Sequence, residues 1–132
     1  MGRILVDGRV KATYESDAYP LDIAKSMPHS YCRTLTSRID DPNVVLLGNG
    51  DGPPGSTGCI GISSDGGRSW KPATMPAAAN STIWNFAVHP ADPLLIYASS
   101  VSGLVFRSED GGHTWSRLGR EFGEIRALAW TP

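Results

Sequence analysis

The chain has 132 residues and a formal net charge of −1: enough for one modest domain with a small core, and without the basic excess that nucleic-acid or anionic-membrane binding demands. No apolar run approaches the ~20 residues of a membrane-spanning helix. The opening MGRILVDGRVKATYESD has neither the apolar core nor the small-residue cleavage site of a secretory signal, so a soluble chain of otherwise open location is expected.

The 15 glycines and 10 prolines fall between short apolar runs, the punctuation of strands joined by turns. Residues 3–14, RILVDGRVKATY, predict a hairpin turning at Asp7-Gly8. Leu21 to Met27 fits one helical turn or a loop equally well, and no long helix is predicted. Four strands then follow in order, designated a to d by position: YCRTLTSR (31–38), VVLLGNG (44–50) after the turn Asp40-Asp41-Pro42-Asn43, CIGISSD (59–65), and RSWKPAT (68–74). A second set repeats this grammar: TIWNFAV (82–88), LLIYASS (94–100) after His89-Pro90-Ala91-Asp92-Pro93, LVFRSED (104–110), and HTWSRL (113–118). Asp41-Pro42 aligns with Asp92-Pro93 at an offset of 51, and the Asp-Gly-Gly turns align at an offset of 45. The difference is an insertion in the loop DGPPGSTG (51–58). GEIRALAWTP (123–132) then matches STIWNFAVHP (81–90) position for position and predicts a third strand a.

Units of about 40–50 residues holding four antiparallel strands are the mark of propeller blades, which bury both sheet faces only by stacking. The expected architecture is all-β: two full blades plus partial ones, unable to close a ring alone. It divides as 1–29 (a leading c–d hairpin and connecting loop), 30–76, 77–122, and 123–132 (the inner strand of a next or closing blade).

Within this pattern, SSDGGRSW (63–70) and SEDGGHTW (108–115) are nearly the same octapeptide. Both fit S-x-D-x-G-x-[S/T]-W, through Ser63, Asp65, Gly67, Ser69 and Trp70 and again through Ser108, Asp110, Gly112, Thr114 and Trp115. This resembles the Asp-box, or bacterial neuraminidase repeat, over about residues 30–132. The family includes sialidases, xyloglucan-cleaving glycosidases, sortilin-type receptors and photosystem assembly factors. The resemblance implies a β-propeller with the motif at the blade periphery, away from the ligand face. The chemistry of the residues agrees with a structural role: an acceptor carboxylate for turn amides, glycine for positive φ, hydroxyls to tie strand ends, and tryptophan to plug the gap between blades. A sialidase would add an Arg-Ile-Pro segment; the nearest string here is Arg38-Ile39-Asp40.

A propeller lines its channel with strand a and gathers the b–c and d–a loops on one rim. The candidate ligand face therefore carries Asn49 and Asp51 of the inserted loop, Glu124, and the aligned inner-strand positions Arg33, Trp84 and Arg126. Guanidiniums there could grip a carboxylate or phosphate, and an indole could stack on a sugar or cap a cation; ordinary blade packing is the competing reading. Glycosidic hydrolysis needs two carboxylates, one with a raised pKa. The rim offers Asp51, Glu121 and Glu124, with no specific pairing. Cys32 and Cys59 stand outside any metal-ligand spacing, and His29, His89 and His113 are scattered. No metal or cofactor is expected, and the cysteines read as small buried hydrophobes rather than a disulfide. The expected function is a non-catalytic binding or assembly scaffold, with a glycoside hydrolase fragment as the alternative. The expected partners are a carbohydrate or protein ligand and further blades, from a longer parent or from self-association. The chain reads as the C-terminal part of such a parent.

Overall fold

The computed structural model describes residues 26–132 and, in the leading segment, the backbone of 2–6 and 9–14. The Asp7-Gly8 turn and most of the 21–27 stretch lie outside the described residues. Strands β1 (Gly2–Val6) and β2 (Arg9–Tyr14) pair antiparallel. Two four-stranded antiparallel meanders follow. The first is β3 (Tyr31–Ser37), β4 (Val45–Gly50), β5 (Gly58–Ser63) and β6 (Lys71–Pro72). The second is β7 (Ile83–Ala87), β8 (Ile96–Ser100), β9 (Val105–Ser108) and β10 (Ser116–Arg117). Among the described residues, no helix is long and apolar enough to cross a membrane.

The apolar alternation explains how the sheets stack. β4 is buried along its whole length, because its two faces meet different neighbours. Leu46 points into the larger core with Ile60 and Ile62, facing Ile83, Ile96 and Phe106 of the second sheet. Val45 and Leu47 point the other way, onto Met27 and Trp70. Backbone bonds also cross between the sheets: Thr74 N donates to His113 O at 3.0 Å and Trp115 N to Thr74 O at 2.9 Å. These hook the outer edge of the first sheet to the turn of the second.

The chain leaves one sheet for the next over glycine. Ala79 N donates to Gly58 O at 2.8 Å, and a Cβ on Gly58 would collide with the carbonyl of Ser81. The crossing recurs at the second sheet, where Phe122 N donates to Gly103 O and Ile125 N to Val101 O, both at 2.9 Å.

Two local expectations are corrected, and the last segment has no partner strand among the described residues to test it. The outer strands are two residues each rather than the six or seven expected, since the octapeptide occupies seven residues between c and d (64–70 and 109–115) instead of a tight hairpin. Residues 123–132 carry no strand assignment; no strand among the described residues pairs with them, and a ladder needs two sides. The cysteines are free thiols, with Cys32 exposed and Cys59 half-buried rather than both in the core.

Candidate functional site

The two octapeptides build the same turn. In the first, Ser63 Oγ donates to Asp65 Oδ1 at 2.8 Å and accepts from Gly67 N at 2.8 Å. Asp65 Oδ1 accepts from the amides of Arg68 (3.0 Å) and Ser69 (2.9 Å), and Oδ2 from Ser69 Oγ (2.6 Å). In the second, Ser108 Oγ bonds Asp110 Oδ1 at 2.8 Å and Gly112 N at 2.9 Å, while Asp110 takes the amides of His113 (3.1 Å) and Thr114 (3.0 Å) and Thr114 Oγ1 (2.6 Å). Each indole closes its turn, Trp70 Nε1 on Gly67 O (2.9 Å) and Trp115 Nε1 on Gly112 O (2.8 Å). Gly112 has a φ of 103°, and a Cβ there would fall 2.6 Å from Leu46 of the first sheet, so both conformation and packing require glycine.

Donors this dense stabilise the ionised carboxylate. The Ser69 hydroxyl and amide, with Ser63 Oγ, hold Asp65 well below the usual carboxylate range. Burial opposes ionisation of Asp110, but the Thr114 hydroxyl and amide, with Ser108 Oγ and the His113 amide, outweigh it and hold the group at about 2. Trp115 joins the core shared by both sheets and lies 6.3 Å from Phe86, ring to ring. Trp70 packs with Met27 on the opposite face of the first sheet.

The octapeptide turns sit beside the a–b turns: Gly66 N bonds Asn43 O (2.8 Å) and Gly111 N bonds Leu94 O (2.9 Å). The b–c and d–a connections gather at the other end, where Thr82 Oγ1 donates to Gly52 O at 2.6 Å. At that end Asp51 bonds its own loop. It accepts from Ser56 N (2.8 Å), Ser56 Oγ (2.8 Å) and Thr57 N (3.1 Å), which lower its pKa to about 2. The loop repeats the chemistry of the octapeptide turn in miniature; the string Asp51…Ser56-Thr57 is the signal that could have revealed it.

Asn49, expected on an exposed rim, is fully buried. Its Nδ2 donates to His29 O (2.8 Å) and Tyr31 O (3.1 Å), and its Oδ1 accepts from His29 N (3.2 Å). It pins the entry of β3 to β4. Cys32 and Cys59 flank it in register on either side; burial, then the nearby Cys32, pushes the Cys59 thiol up to about 11.

Arg33 and Trp84 do come together. Each is the unpaired residue of a bulge, between Cys32 and Thr34 in β3 and between Ile83 and Asn85 in β7. Such an insertion re-aims a side chain. The Arg33 guanidinium carbon stands 4.1 Å above the Trp84 ring centre. The third aligned residue, Arg126, instead bonds Glu124, with Nε–Oε1 at 2.9 Å and the terminal nitrogen at 2.6 Å. These two line an open groove of about 410 Å³ with Val105, Phe122, Ile125 and Leu128. Glu121 is exposed and faces Arg117 at 3.7 Å. The described residues hold no cluster of three His, Cys, Asp or Glu able to bind a metal.

No protein-family model and no curated protein matches the chain. Among solved structures, an ancestral GH74 enzyme is similar, with a TM-score of 0.52 and 18% identity. The match covers 70% of this chain but 13% of that enzyme, so the chain corresponds to a small part of the enzyme's length. The likeness is one of fold, and it accords with the two stacked antiparallel meanders. The chain is all-β, and its described residues form two four-stranded antiparallel sheets of propeller-blade construction, with a separate two-stranded pair, that do not close a ring.

Proposed function

We propose that this chain is a non-catalytic Asp-box propeller segment that serves as a binding and assembly scaffold. The supporting observation is the direction in which its carboxylates are tuned. Asp40, Asp51, Asp65 and Asp110 are all pushed toward stronger acidity by hydrogen-bond donors, whereas a glycosidic general acid must be pushed the other way. Asp51 is engaged by its loop, and Glu124 by Arg126.

The assembly half of the reading rests on the open side of the second sheet. Phe122 is 42% exposed beside the groove, an apolar surface that a further blade, from a longer parent or another copy, would cover.

The likeness to a GH74 enzyme favours a second reading, a hydrolase fragment whose catalytic set is completed elsewhere. Reducing-sugar release from xyloglucan and sialic acid release from sialylated glycans separate the two. The purified chain is expected to release neither above background. Turnover that disappears in Asp51→Asn or Glu124→Gln would establish the hydrolase reading instead.

A further inference from the structure

Three of the described arginines, Arg33, Arg68 and Arg120, hold no carboxylate among the described residues, and two of them lie over aromatic rings instead, Arg33 on Trp84 and Arg120 on Phe122. Arg38, Arg107, Arg117 and Arg126 each hold a carboxylate within 2.7, 2.7, 3.7 and 2.6 Å respectively. Arg33 is exposed, and among the described residues it pairs with no carboxylate; its contact is the face of Trp84 at 4.1 Å. The two residues reach each other because both inner strands carry a bulge at the same repeat position. That position is near the strand starts, at the end of the sheets where the b–c loop lies: Cys32 pairs with Asn49 and Ile83 with Ser100.

Stacking has two chemical consequences. It occupies one face of the indole, so a sugar ring cannot stack on that face. It also leaves the guanidinium's N–H donors, which an aromatic face does not satisfy as acceptor partners, available to a ligand at this exposed position. A planar fork matches the two coplanar oxygens of a carboxylate.

We propose that Arg33, held against Trp84 at the paired bulges, is a binding group for a ligand bearing a carboxylate. The proposal deepens the scaffold reading by naming what this rim recognises, and rests on it. Recognition here runs through charge and the planarity of the anion, so a neutral sugar gains nothing from the pair.

The test is a titration at constant ionic strength with sodium D-glucuronate, D-glucose and sodium phosphate, followed by tryptophan fluorescence and ligand-observed NMR. Glucuronate is expected to bind and glucose not to. Arg33→Gln should weaken glucuronate binding by about threefold to fivefold, the value of a charge-assisted contact at an exposed position. Arg33→Lys, which keeps the charge but loses the fork, should recover little of it. Equal melting temperatures for the three proteins would show that the loss is not unfolding. Several results overturn the proposal: equal binding of glucose, tighter binding of phosphate than of glucuronate, glucuronate binding unchanged in Arg33→Gln, or no glucuronate response up to about 10 mM, a Kd of which corresponds to about −2.7 kcal/mol. Each would leave the scaffold reading intact, because that reading fails on glycan turnover and not on this titration.

Discussion

Replacing Trp115 by alanine is expected to destabilise the protein by about 3–5 kcal/mol, the cost of removing a large aromatic side chain from a packed core. The indole is 6% exposed and sits in a core drawn from both sheets. It also caps its own turn through Gly112 O, and its backbone amide holds Thr74 of the first sheet. Truncation opens a cavity at the junction and leaves the Gly112 carbonyl without its donor. Equilibrium urea unfolding should show the lower midpoint, with the second sheet losing structure before the first. Trp70→Ala should cost comparable packing energy but spare the junction, since Trp70 packs on Met27, Val45 and Leu47. If the two variants disturb the sheet–sheet junction equally, Trp115 is not its plug.

Acid should destabilise the protein in a window set by its turn carboxylates. Unfolded aspartates titrate near ~3.9. Asp51 and Asp110 are held at about 2 in the folded chain, and Asp65 is also depressed. The folded state therefore binds fewer protons than the unfolded state between these values. The stabilisation is fully present above pH ~4 and is lost as pH falls through about 2. The urea midpoint should be insensitive to these groups from pH 7 to 5 and drop between pH ~4 and ~2. Asp110→Asn keeps the shape but turns one acceptor into a donor facing Thr114 Oγ1. It should cost about 1 kcal/mol at neutral pH, discounted because the carboxylate is largely in solvent, and progressively less as pH falls through about 2. A cost that does not change with pH would mean that the carboxylate charge is not what the turn uses.

Much of the architecture was legible because the repeat spells each element twice. The offsets of 51 and 45 place the inner strands and the turns in the same relation that the hydrogen bonds show, with Gly66 on Asn43 and Gly111 on Leu94. The residue chemistry of the octapeptide indicated the amide bonds to its aspartate, whereas the Ser and Thr hydroxyls, expected to tie strand ends, donate to that same carboxylate. What could not be read were features created by tertiary contact. The bulges at Arg33 and Trp84 leave no mark on composition, so the sequence aligned the two residues without showing that they stack. Asn49 looks like a rim residue in the run GNGDG, yet the returning segment at His29 and Tyr31 buries it. Residues 123–132 have strand grammar without a strand's partner. Asp51 had the makings of a ligand group by position and charge; only the loop's curvature shows that Ser56 and Thr57 reach it.

Both octapeptides staple their own turns, and the second also locks one blade to the next through Trp115. Native-state hydrogen exchange followed by NMR tests this stapling most directly. The amides of Gly67, Ser69, Gly112 and Thr114 bond side chains of their own turns, and those of Thr74 and Trp115 bond across the sheets. All six are expected to exchange only with opening of the β4 and β8 core, and protection at Thr74 and at position 115 is expected to be lost together in Trp115→Ala. Fast exchange at the turn amides while the core strands stay protected would contradict it: the octapeptides would then be surface loops riding on blades held together by something else.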